Sequence, residues 1–173
     1  MSVVFLDAGS VHYEVLGRGK PVVFLHGWVG SWRYWLPAMQ ATSISYRAYA
    51  LDLWGFGDSA KTHQYSLEQQ TALIDGFLEN MGIGRVVLVG HGLGALAAMA
   101  YAASHPQTVD RVMAVSYPLE ESNLAGRLRT ASPAELGEWL LPRVPAADAA
   151  RVELPKADPA VVAGAPTDPA GLD

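Results

Sequence analysis

Arg85-Val-Val-Leu-Val-Gly90-His-Gly92-Leu-Gly94-Ala-Leu-Ala-Ala-Met-Ala-Tyr101 decides the architecture of this chain. Val86 to Val89 is a short apolar run rich in β-branched residues. It passes through glycines at 90, 92 and 94 into an alanine-rich segment with almost no polar face. The pattern reads as a buried strand, a tight turn and a helix lying close to the sheet, because glycine lets the backbone bend sharply and approach its neighbours. The central residue of the turn, Gly92, is expected on a strained bend at the strand's C-terminal end.

Outward from that stretch, the chain alternates strands and helices. Toward the N-terminus, Val3 to Leu6 and Val11 to Leu16 are β-type runs separated by Ala8-Gly9-Ser10, which predicts an antiparallel hairpin. Pro21 to Leu25 is continuously apolar, the mark of a strand covered on both faces, and it delivers His26-Gly27-Trp28 to its end. Ser31 is a candidate cap for a helix bearing Trp32, Trp35, Leu36 and Met39 on one side. Tyr46 to Leu53 predicts another buried strand, which ends in the turn Asp52-Leu-Trp-Gly55-Phe-Gly57-Asp-Ser59. Ser66 with Gln69 forms a capping-box pattern for a helix from Leu67 to about Met81. Downstream, Arg111 to Tyr117 predicts a further strand, Glu120 to Thr130 a polar helix, and Ser132-Pro133-Ala-Glu135 a helix carrying Leu136, Trp139 and Leu140. Arg143 to Asp173 is rich in Ala and Pro with few large apolar residues, and is expected to be a mobile cap fragment or disordered. The organisation expected is a core over 1–118 followed by partial cap helices and tail over 119–173.

Composition narrows the function. Half of the 173 residues are hydrophobic, enough for one sizeable core. The formal net charge of −5 is dispersed, and no basic stripe is present to neutralise phosphates, so nucleic acid is not an expected partner. The absence of cysteine excludes disulfides, thiolate metal sites and a cysteine nucleophile. No apolar run is long enough to span a bilayer, and Met1 to Asp7 lacks the features of a signal peptide, which together predict a cytoplasmic protein with no membrane partner. No cofactor and no metal site is expected.

Three stretches in order resemble the α/β-hydrolase superfamily: His26-Gly27-Trp28 its oxyanion loop, Asp52 to Ser59 its D-x-x-G-x-G-x-S turn, and Gly90 to Gly94 its G-x-S-x-G nucleophile elbow. The resemblance implies an α/β fold, a three-layer hydrolase core with a mostly parallel sheet, here without the family's C-terminal strands. It also implies a small-molecule acyl ligand, an ester or similar compound. By the same resemblance, position 92 is the nucleophile position, where Gly92 replaces Ser. The backbone N–H groups of Trp28 and Leu93 form the oxyanion hole, and His26, Gly27, Trp28, His91 and Leu93 line the binding site. Nothing at Gly92 can attack a carbonyl, and no histidine present suits the role of general base, so the chain is expected to be catalytically inactive. His91 neighbours the apex, but alternation along an extended chain turns it away from a substrate. Asp52 and Ser59 read as turn-formers, the tryptophans as core or site wall, and Glu120 and Glu121 as a solvated pair.

Two alternatives stay open. One is a naturally non-catalytic hydrolase-like binding protein, resembling the N-myc downstream-regulated relatives. The other is a dinucleotide site, since Gly90-His-Gly92-Leu-Gly-Ala95 also fits G-x-G-x-x-A. Against the latter, the motif does not follow the first buried strand and no acidic residue lies about 20 positions on. Dehalogenases and epoxide hydrolases are disfavoured, because Gly92-Leu93 stands where they carry Asp, commonly followed by Trp. If the family order holds, the Arg111 to Tyr117 strand lies at an open sheet edge, which predicts self-association.

Overall fold

The computed structural model describes residues 2–61, 65–116, 130–141 and 147–164. The apolar runs pair into one sheet of β1 (Ser2–Leu6), β2 (Gly9–Gly17), β3 (Lys20–Leu25), β4 (Tyr46–Leu51), β5 (Val86–His91) and β6 (Val109–Val115). Their spatial order is β1-β2-β4-β3-β5-β6. The hairpin is antiparallel, with Val4 opposite Val11, and β2 runs antiparallel to β4. From β4 through β3 and β5 to β6 every pairing is parallel. Crossovers between parallel strands need intervening chain, and the helices supply it.

Side-chain alternation, with both faces covered, explains why the central strands are apolar beyond their first one or two residues. Val22 and Phe24 of β3, with Ala48 and Ala50 of β4, face one side together with Met39. Val23 and Leu25, with Tyr49 and Leu51, face the other, against Leu73, Ile74 and Phe77. Met39 belongs to α1 (Leu36–Thr42), and the second set to α2 (Leu67–Asn80). The α3 helix (Leu93–Ser104) lies on the α2 side and buries Leu93 to Ala98 and Tyr101. Its alanines permit unusually close contact. A Cβ on Gly90 would meet the Gly94 carbonyl oxygen at 2.4 Å, and one on Gly94 would meet the Leu25 carbonyl oxygen at 2.3 Å. Both glycines are therefore required by backbone packing.

Several boundaries differ from the sequence expectation. The single helix expected after Ser31 is split into a 3₁₀ turn, Trp32–Trp35, and α1. Pro37 accounts for the break, since its ring lacks an N–H and clashes with the carbonyl four residues back. Ser66 accepts from the Gln69 N–H at 3.3 Å, half of the expected capping box. Ser132 and Glu135 complete theirs at the start of α4 (Pro133–Leu140), with Leu136 fully buried. The last strand ends at Val115, and Tyr117, Glu120, Glu121, His63 and most of the expected 120–130 helix lie outside the described residues.

The larger correction concerns the tail. Residues 147–164 do not read as loose chain: they form α5 (Asp148–Glu153), a 3₁₀ turn (Leu154–Lys156) and α6 (Pro159–Gly164). Small residues make this possible, because Ala147, Ala150, Ala157 and Val161 all bury against neighbours. Val161 fills the space above Gly55, and the Asp158 N–H donates to the Gly55 carbonyl at 2.7 Å. Glu153 is buried beside Arg33 at 2.7 Å and Lys156 at 3.0 Å, while Lys156 also reaches Asp58 at 2.9 Å. Charge pairing thus anchors a segment whose apolar content alone gave little sign of docking. No helix among the described residues is long and apolar enough to cross a membrane.

Candidate functional site

The C-terminal ends of β3, β4 and β5 converge on one site. At the end of β5, Gly92 has φ 52° and ψ −115°, a conformation that residues with a side chain adopt only under strain. Its carbonyl accepts from the N–H groups of Ala95 and Leu96, each at 3.1 Å. Because a trans peptide sets C=O and N–H antiparallel, fixing that carbonyl into the helix turns the Leu93 N–H outward from the start of α3. A Cβ at position 92 would lie 3.3 Å from Trp28 Cε3 and 3.6 Å from Gly27 Cα. The indole of Trp28 therefore sits in tight contact with the place where a side chain at 92 would begin.

The loop after β3 is built by the same logic. His26 is fully buried; its Nδ1–H donates to the Gly27 carbonyl at 2.7 Å and its Nε2 accepts from the Leu53 N–H at 2.9 Å. Burial holds its pKa below the ordinary histidine value despite the nearby Asp52 charge, in keeping with this neutral tautomer. The Gly27 carbonyl also accepts from the Gly30 N–H at 3.2 Å. With that carbonyl held by two donors, the Trp28 N–H is directed the opposite way. Among the described residues nothing accepts from the N–H of Trp28 or Leu93. The Gly27 N–H is held by the Tyr34 hydroxyl at 2.5 Å, which in turn lies 3.2 Å from His91 Nδ1.

Asp52 organises the neighbouring turn. Its carboxylate accepts from the N–H groups of Trp32 at 2.8 Å and Asp58 at 3.0 Å, and from His12 Nδ1 at 3.0 Å. Gly57, at φ 48°, approaches so closely that a Cβ there would fall 2.2 Å from Asp52 Oδ2. Ser59 Oγ donates to the Asp52 carbonyl at 2.6 Å and accepts from the His12 N–H at 2.9 Å. Both residues are turn-formers, as their spacing suggested. His12, Asp52 and Asp58 also bring potential metal-ligand atoms within 4.8 Å of one another. The two Asp52 oxygens already serve this hydrogen-bonded turn, which accounts for the cluster.

The residues expected at the site are thus brought together in part. Gly92, Trp28, Gly27 and His91 meet around the apex, and Leu93 presents its amide beside them. His26 lies beneath the loop with both ring nitrogens engaged. Among the described histidines, His12 is bound to Asp52, and His105 stacks on Tyr101 at the far end of α3. Tyr34, at the centre of the loop's hydrogen bonding, was not singled out by sequence reasoning. A tyrosine within Trp32-Arg-Tyr-Trp35 carries no signal of such a role.

Residues 20–158 match the family model described as alpha/beta hydrolase fold. The chain belongs to the α/β-hydrolase family. The match spans all three glycine-bearing stretches and the docked segment as far as Asp158. Among curated proteins the chain is similar to epoxide hydrolase 4 of Mus musculus, with 35% identity over 118 residues, covering 65% of this chain and 33% of that protein. It is also similar to a putative carbamate hydrolase, RutD, of Yersinia enterocolitica, with 33% identity over 119 residues, covering 65% of this chain and 43% of the relative. Among solved structures, the enol-lactonase from Burkholderia xenovorans LB400 superposes with a TM-score of 0.82 at 22% identity, over 94% of this chain and 71% of that one. The chain spans about a third of the length of the first curated relatives it matches. Gly92 and Leu93 weighed against epoxide-hydrolase relatives, yet epoxide hydrolases recur among the similar curated proteins and solved structures. Two apex residues were too narrow a criterion for judging relatives of the family.

Proposed function

We propose that this chain is an α/β-hydrolase-type site that binds acyl compounds, esters or their carboxylate products, and does not turn them over. The observation that carries the reading is the pair of held carbonyls, Gly27 and Gly92, which turn the Trp28 and Leu93 N–H groups away from any acceptor among the described residues, beside a residue with no side chain. Two preorganised N–H donors are what an oxyanion hole requires, and they act through geometry without any particular side chain. Gly92 occupies the apex of a nucleophile elbow and supplies no atom to attack a carbonyl. Stabilising charge without a nucleophile favours binding of an anionic or carbonyl oxygen over acyl transfer.

The mixture of relatives makes the chemistry of the apex testable. A hydroxyl at position 92 suits acyl transfer, and a carboxylate suits attack on an epoxide carbon, as the similarity to epoxide hydrolase 4 would favour. Labelling with a fluorophosphonate should leave the wild type unmodified and mark Gly92→Ser at the introduced hydroxyl only where a base activates it. The reading predicts no rapid labelling of either protein, since the described histidines are engaged elsewhere. Rapid labelling or ester turnover by the wild type would contradict it. The outer edge of β6, which pairs only with β5 among the described residues, is proposed as a surface for self-association.

A further inference from the structure

Tyr34 and His91 close on the Gly27–Gly30 loop from two sides. A Cβ on Gly27 would stand 2.6 Å from His91 Nδ1, and one on Gly30 would stand 2.4 Å from Tyr34 Cε1. The two rings therefore fill the spaces that side chains on those glycines would take. They meet edge to face, with centroids 5.8 Å apart at 89°. The Tyr34 oxygen accepts the Gly27 N–H, which leaves the hydroxyl one proton to place. Among the described residues His91 Nδ1 is the partner within reach, at 3.2 Å, and a hydroxyl that donates there requires that nitrogen to be unprotonated, the Nε2–H tautomer of His91. Burial lowers the His91 pKa, in line with a neutral ring.

Between the glycines stands Val29, buried, with φ 53°. A β-branched residue in the left-handed region is strained, and such strain persists only where the surroundings over-determine the backbone. The surroundings here are Tyr34 and the His26 Cβ against Gly30, and His91 against Gly27. His91 also precedes the apex directly along the chain, so the same ring touches both halves of the site.

We infer that Tyr34 and His91 are positioning residues: a hydrogen-bonded clamp that joins the elbow strand to the Gly27–Gly30 loop and holds the Trp28 amide in register with the Leu93 amide. The inference rests on the reading of those two amides as an oxyanion site. It assigns Tyr34 a role that its place between two tryptophans does not suggest, and it gives His91 a task other than contact with ligand.

The test uses the full chain, isotopically labelled, and three variants. Tyr34→Phe keeps the ring against Gly30 and removes the hydroxyl; His91→Gln retains an acceptor and His91→Leu does not. In the wild type, nitrogen chemical shifts should report the Nε2–H tautomer at His91. Tyr34→Phe and His91→Leu should each speed amide exchange at Gly27 about ten-fold and weaken the acetate-induced shift of the Trp28 amide about three- to ten-fold, the order expected for one lost buried hydrogen bond. His91→Gln should stay near wild type in both. An Nδ1–H tautomer in the wild type would overturn the clamp. So would unchanged Gly27 exchange in Tyr34→Phe, or a His91→Gln protein that behaves as His91→Leu does. Should Tyr34→Phe fail to fold, the two His91 variants decide. A wild type whose Trp28 and Leu93 amides ignore acetate refutes the oxyanion reading, while tautomer and Gly27 exchange still judge the clamp.

Discussion

On the proposed reading, one residue, Gly92, bears on both the stability and the chemistry of the site. Its φ of 52° and ψ of −115° cost a glycine little, and a side chain there would also press on Trp28 Cε3 at 3.3 Å. Gly92→Ser should therefore lower unfolding stability by about 1–3 kcal/mol, read as a fall in urea midpoint with an unchanged slope. A variant as stable as the wild type would mean that the turn relaxes out of its observed conformation. The glycines at 90 and 94 were legible as packing residues in the sequence, since a strand running into an alanine-rich helix needs close approach. Tyr34 was not, because its function lies in one hydroxyl whose partners, Gly27 and His91, are set by the fold rather than by spacing.

At the scale of elements, the contact between β2 and the Asp52 turn couples folding to pH. The hydrogen bond and charge of Asp52 raise the His12 pKa above 6.5, with Asp58 and Glu14 adding to it against the opposing effect of burial. Burial works to raise the Asp52 pKa, yet hydrogen bonds from His12, Asp58 and Trp32 bring it below 3.8. The His12 contribution is complete below its unfolded pKa and is lost as pH rises through the raised folded value. The Asp52 contribution is complete above its unfolded pKa and is lost as pH falls through the lowered one. Between 3.8 and 6.5 both are present. His26 and His91, with lowered values, act in the opposite sense below 6.5, so the pair is best isolated by difference. His12→Asn should cost about 1.5–3 kcal/mol at pH 6, the order for a hydrogen bond to a charged group, and distinctly less at pH 9. A pH-independent difference would show that His12 acts only through packing. The D-x-x-G-x-G-x-S spacing made this turn recognisable, with Gly57 yielding room for the carboxylate. His12, 40 residues away in sequence, could be joined to Asp52 only by the fold.

For the whole molecule, the sheet and its layers were readable because the buried strands are continuous apolar runs and the helix between β4 and β5 carries its capping serine, Ser66. The docking of residues 147–164 was not readable, since its contacts reach back 120 residues from Glu153 to Arg33 and 93 from Asp158 to Tyr65. An ion pair and a hydrogen bond over such distances leave no periodic trace. The other edge of the architecture gives a prediction of its own. Met113 is 60% exposed on β6, beside an outer edge without a strand among the described residues. Sedimentation should show concentration-dependent association that Met113→Lys weakens, since a charge discourages edge pairing; a wild type that stays monomeric at high concentration argues against it. The central claim, a site that binds through two amides without chemistry, is tested most directly by acetate titration of the labelled wild type. The Trp28 and Leu93 amide signals are expected to move together along one saturating curve, with no acyl product formed from a phenyl ester. Amides that stay in place, or shift with unrelated midpoints, would contradict it.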